Sequence, residues 1–83
     1  MAYSKIRKLC MKSKLKIVDL AYTDVTEWEK DPSDERIIEE IEWKLESAIG
    51  NFEEGSDDFY TKRDFTYTKK FITKLKGILA EEK

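Results

Sequence analysis

Histidine is absent from the 83 residues, cysteine and proline occur once each, and no apolar run approaches the roughly 20 residues a membrane-spanning helix needs. Each scarcity removes a class of function. Without histidine there is no Ser-His or Cys-His nucleophile pair, no zinc cluster of the usual kind, and no use of the commonest general base. The lone Cys10 leaves no intrachain disulfide to form. The basic start is not followed by an uninterrupted apolar stretch, so no secretory signal is expected and the chain reads as cytoplasmic. A Gly-rich phosphate loop and a nucleophile elbow are also missing. The expectation is a non-catalytic protein that needs no cofactor and no metal.

Charge is what the chain has in quantity: 41% of residues are charged, yet the formal net charge is only -2. The balance hides a segregation. Residues 1–16 hold six bases and no acid, residues 17–58 hold fifteen acids against three bases, and residues 59–83 hold seven bases against three acids. Basic ends around an acidic middle attract one another when the elements fold back, and they leave one charged face available for outward use.

Pro32 and the Gly50-Asn51 and Gly55-Ser56-Asp57-Asp58 clusters cut the chain into three segments of helical length. The clearest is the middle one. Asp31 suits a cap, Pro32 the first helical position, and Asp34 and Glu35 the positive end of the helix dipole. Ile37, Ile38, Ile41, Leu45, Ala48, Ile49 and Phe52 then recur at 3.6-residue spacing, and Gly50-Asn51 offers a stop. In the last segment Phe65, Tyr67, Thr68, Phe71, Ile72, Leu75, Ile78 and Leu79 gather on one side of a helix begun at Asp57 or Asp64. The first segment reads as one helix from Ser4 to about Tyr22, although Ile17-Val18 also permits a strand over 15–22. The expected fold is therefore an all-α single domain over 1–83, a compact three-helix bundle (4–21, 32–49, 64–80), with α+β as the fallback. A fourth short helix would fit at Val25–Lys30 or Asp58–Thr61. Ile6, Leu9, Ile17, Leu20, Ile38, Ile41, Leu45, Ile49, Phe52, Phe71, Leu75 and Ile78 should form the core.

Three surface features are left over. Met11, Leu15, Val18 and Tyr22, spaced 4, 3 and 4, make a second apolar stripe on the first helix, roughly opposite the stripe that faces the core. Such a helix sits centrally between two others, or meets another chain, or loses its helical form in its second half. The second reading predicts a homodimer, in which charged substitutions at Leu15 and Val18 give a folded monomer. Trp43 falls on the far side of the middle helix from the core stripe, as an aromatic interface anchor would unless the loop holding Trp28, or the two-striped first helix, folds over it. Glu35, Glu39, Glu42 and Glu46 form an acidic row on the same helix, either a solvated face or a grip for a basic partner.

Two patterns resemble known families. Glu39-x-x-Glu42 followed by Glu54-x-x-Asp57 is similar to the carboxylate pattern of the all-helical nucleotide pyrophosphohydrolases related to the MazG family. That resemblance implies magnesium held against a substrate's phosphates. The second pair falls in a Gly-rich turn rather than inside a helix. Ile6-Arg7-Lys8-Leu9, Leu15 and Leu20-Ala21, followed by Val25–Pro32, resembles the helix-turn-helix domains of phage repressors over about the first 33 residues. It implies DNA binding, with Lys5, Lys8, Lys12 and Lys16 on phosphates. Only three residues separate Ala21 from Val25, too few for the usual turn and the front of a recognition helix. The reading carried forward is a small intracellular interaction protein, a regulator or inhibitor of the phage or mobile-element type, that binds another protein. A nucleic-acid-binding regulator ranks second and a magnesium-dependent hydrolase third.

Overall fold

The structure is a computed structural model that describes residues 4–55 and 60–82. It contains four helices, α1 (Lys5–Lys12), α2 (Lys16–Trp28), α3 (Asp34–Glu53) and α4 (Lys62–Glu82), and no strand among the described residues. The fold is all-α, and residues 16–22 are helical rather than extended. None of these helices is long and apolar enough to cross a membrane. The cap alternative at Asp57, and the first half of the short helix at Asp58–Thr61, lie outside the described residues, while Tyr60 and Thr61 are not helical.

The fourth helix arises because the expected first one is two. Ser13 and Leu15 are extended, with ψ of 140° and 125°. The Leu15 N–H donates to Ser13 Oγ at 3.1 Å, and the Ser13 N–H donates to the Cys10 carbonyl at 3.2 Å. A serine hydroxyl that satisfies a nearby backbone N–H offers the chain an alternative to the next helical turn. The break resets the helical phase. α1 buries Ile6 and Cys10, while α2 buries Ile17, Val18, Ala21 and Val25. Leu20, expected in the core, is turned outward and 44% exposed. Val25, expected in a separate short helix, lies inside α2.

α3 starts two residues later than the sequence suggests. Ser33, not Asp31, is its cap, accepting the Arg36 N–H at 3.1 Å, and the Pro32 carbonyl is taken by Arg7 at 2.7 Å. α3 also runs through Gly50 to Glu53. Ile49 and Phe52 pack on the core, and their burial outweighs the roughly 1 kcal/mol a helical glycine costs. The true terminator is Gly55, whose φ of +75° suits glycine, with its N–H on the Phe52 carbonyl at 3.1 Å. At the start of α4, the Thr61 N–H donates to Asp64 Oδ2 at 2.8 Å and the Asp64 N–H returns to the Thr61 hydroxyl at 3.3 Å. This reciprocal capping makes Thr61 the cap in place of Asp64.

Consecutive helices pack on one another, and α4 closes the ring against α1 while also touching α2. α1 and α3 thus occupy opposite corners and meet at their N-termini. There Ser4 Oγ donates to Asp34 Oδ1 at 2.7 Å and Arg7 pairs with Asp31 at 2.9 Å. One core runs through the ring, with Ile6, Ile17, Val18, Ala21, Ile37, Ile41 and Leu75 essentially without solvent contact. Leu9, Ile49, Phe52 and Phe71 flank it half-buried. The one buried polar side chain among the described residues, Thr68, donates its hydroxyl to the Asp64 carbonyl at 2.7 Å.

Cys10 belongs to this core, and burial, helped by the charge of Asp34, raises its thiol pKa from the ordinary 9.0 to about 11. The folded protein therefore holds the thiol proton more tightly than the unfolded chain. The stability this contributes is complete below pH 9 and is lost as pH rises from 9 to 11. A thiol reagent at pH 8 should label Cys10 only on unfolding, so that denaturant accelerates labelling by orders of magnitude. Labelling at the rate of a free thiol in the native protein would contradict this placement.

Candidate functional site

The most exposed large apolar groups of α2 and α3 lie on the hairpin these helices make. α2 and α3 are antiparallel and joined by residues 29–33, and two ion-pair sets fix their register. Near the loop, Arg36 binds Glu29 at 2.8 Å and Glu40 at 3.0 Å. Farther along, Lys44 binds Asp24 at 2.6 Å. The hydrogen bond that Arg36 Nε donates to Glu29 is the chief reason the guanidinium is held even more firmly charged than usual, with Glu40 adding to it.

Trp43 stands on the outer side of α3 within this frame, 58% exposed, with the Lys44 ammonium 5.3 Å from its ring centre. It lines a shallow depression with Arg36, Glu39 and Glu40. The Lys44–Asp24 pair sets Trp43 level with the middle of α2. Leu20 is one turn before Asp24 on the same side of α2, and Trp28, 85% exposed, ends that helix beside the Glu29–Arg36 pair. The outer side of the hairpin thus carries Trp43 and Leu20, with Glu27 and Glu39 exposed near them, and Trp28 is exposed at its end. Nothing among the described residues folds over Trp43, so the covering by the Trp28 segment does not occur. Leu20 and Trp28 were not among the expected contact residues. One helical phase carried across Ser13 puts Leu20 in the core, and Trp28 ends α2, where phase says little about cover.

The other expected sites are placed differently. Met11, Leu15, Val18 and Tyr22 do not form an outward stripe. Met11 is exposed on α1, Leu15 and Tyr22 are half-buried against the core, and Val18 has no accessible surface. A partner could not reach Val18 in the folded chain, so the interface reading of the stripe is corrected: Val18 is core, Leu15 and Tyr22 are its margin, and of the four only Met11 is exposed.

The acidic row turns toward α4. Glu35, Glu39 and Glu42 line the α3–α4 groove with Lys76 and Leu79, Glu42 and Glu46 line it with Lys69, and Glu53 faces Lys62 and Lys69. Glu42 pairs with Lys76 at 3.2 Å across it. The row's first role is therefore to balance the charge of Lys62, Lys69 and Lys76, which recur every seventh residue.

Lys5, Lys8 and Lys12 are exposed on α1, and Lys16 is exposed at the start of α2. The turn that the repressor-like pattern places after Ala21 lies inside α2, which is unbroken to Trp28, so no recognition helix follows. For the pyrophosphohydrolase-like pattern, Glu39 and Glu42 share α3, Glu54 caps that same helix, and Asp57 is outside the described residues. Among the described residues no three Cys, Asp or Glu side chains converge in a way that would hold a metal ion. No protein-family model, curated protein or solved structure matches the chain.

Proposed function

We propose that the protein is a small non-catalytic cytoplasmic interaction module that binds another protein through the outer face of the α2–α3 hairpin. Its partner presents an apolar surface rimmed by basic residues. The observation that carries this reading is the exposed Trp43, held on a helix braced by ion pairs on both sides of it. A rigid aromatic that loses little conformational freedom on binding is the residue type most enriched among interface hot spots. Leu20 extends the apolar contact, and Glu27 and Glu39 supply the rim that selects a basic partner. A chain this small, without catalytic histidine or a phosphate loop, modulates its target by occupying it. That is the manner of regulators and inhibitors, including those of phages and mobile elements; the last step is analogy of class.

The experiment is affinity capture from nuclease-treated extract with the native protein and with Trp43→Ala. The native protein should retain one protein in near-stoichiometric amount. The substitution should weaken that complex by about 30- to 1000-fold, equivalent to roughly 2–4 kcal/mol, while leaving the melting temperature nearly unchanged because the indole is mostly in solvent. Equal retention by both forms would remove Trp43 from the interface and the proposal with it.

A further inference from the structure

The fold sorts the lysines of α4 into two rows. Lys62, Lys69 and Lys76 line the groove shared with α3, against its carboxylates. Arg63, Lys70 and Lys74 fall about 120° around the helix, on its outer side toward α1, with Tyr67 among them and the Lys70 ammonium 6.0 Å from its ring centre. α1 packs on α4, and its exposed residues include Lys5, Lys8 and Lys12. None of these six cations forms an ion pair among the described residues. Most of the acidic middle block lies on α2 and α3, and the α3 carboxylates face the other flank of α4, along Lys62, Lys69 and Lys76. Glu81, at the end of α4, is the carboxylate nearest in phase to the row.

We infer that the α1–α4 face binds the phosphate backbone of a nucleic acid, without reading its sequence. Three observations separate this ligand from the alternatives. The cations are six and the exposed large apolar groups only Met11 and Tyr67, whereas protein interfaces are depleted in lysine and built around an apolar centre. The face lacks the broad apolar band that seats an amphipathic helix in a bilayer. Of the carboxylates near α4, those of α3 are set against Lys62, Lys69 and Lys76 on its other flank and only Glu81 shares the row's phase, so the repulsion that a net charge of -2 suggests is weak at the surface in contact. α4, at 21 residues and about 31 Å, runs the length of about nine base pairs. The site is distinct from the Trp43 face, and one molecule can use both.

The test is fluorescence anisotropy with a labelled 20-base-pair DNA duplex and a 20-nucleotide single strand. Binding should be micromolar at 50 mM salt and weaken about 10³-fold by 200 mM, as six phosphate contacts require. Replacing Lys8, Lys70 and Lys74 together by Gln should weaken binding at least tenfold at 50 mM salt. It should also cut the slope of log affinity on log salt from about five to about three. Replacing Lys30, Lys62 and Lys69 by Gln removes the same charge elsewhere and should leave both quantities nearly unchanged. Circular dichroism confirms that each variant is folded. No binding at 50 mM salt, or equal losses in the two triple variants, overturns the inference. So does binding to polyglutamate or to phosphatidylserine vesicles in place of nucleic acid.

Discussion

Val18→Asp should abolish folding at 25 °C, observed as loss of the helical circular dichroism signal. Val18 has no solvent contact, and the core around it is aliphatic. A carboxylate placed there is either desolvated without a counter-charge or neutralised at a cost in proton affinity, and both penalties are several kcal/mol. Domains of this length have about 4–12 kcal/mol of total stability, at 0.05–0.15 kcal/mol per residue. Leu15→Asp makes the contrast. Leu15 is half-buried and occupies the capping position of α2, where it makes no side-chain cap bond. Aspartate is favoured there both as a cap and by the helix dipole, which offsets part of the lost contact, and the variant should remain folded. A Val18→Asp protein with native ellipticity would overturn the arrangement of α1 and α2 described above.

Leu75→Ala should destabilise the bundle by about 3 kcal/mol, within the 2–5 kcal/mol range for buried leucines. For a domain of this size that lowers the melting temperature by about 12–24 °C. Leu75 is wholly buried on α4, which like α2 packs against the three other helices, so the cavity opens where the elements converge. Leu20→Ala deletes the same atoms from a side chain nearly half in water and should cost about 0.5 kcal/mol or less. Thermal melts of the two variants separate them. Similar losses would mean that Leu20 is buried.

These two leucines also mark where the sequence was readable. Leu75 sits in a long segment with one apolar stripe, as do Ile38, Ile41 and Leu45, and periodicity alone assigned all four to the core. Trp43 was read as off-core by the same phase argument, and it is. The failure at Leu20 and Val18 has one cause. No proline or glycine marks the break at Ser13–Leu15; it is made by a hydroxyl on a backbone N–H, which propensity barely registers. The signal was present in another form, because one helix with two apolar stripes has the pattern of two helices with one stripe each. The acidic row was legible as a row. Its engagement with α4 was not, because that depends on the register between α3 and α4, although lysines spaced every seven residues on α4 were the matching half.

The sequence of contacts around the ring bears on how the chain assembles. α2 and α3 are neighbours in sequence, separated by five residues, and pack closely on one another. Closing so short a loop costs little entropy, whereas bringing α4 back to α1 requires nearly the whole chain. Bundles dominated by such local contacts fold in microseconds to milliseconds. During synthesis the α2–α3 hairpin, with Trp43 already on its outer side, is complete before any of α4 has been made. The apolar strip that α4 will cover is then shielded from water only once α4 itself has been made.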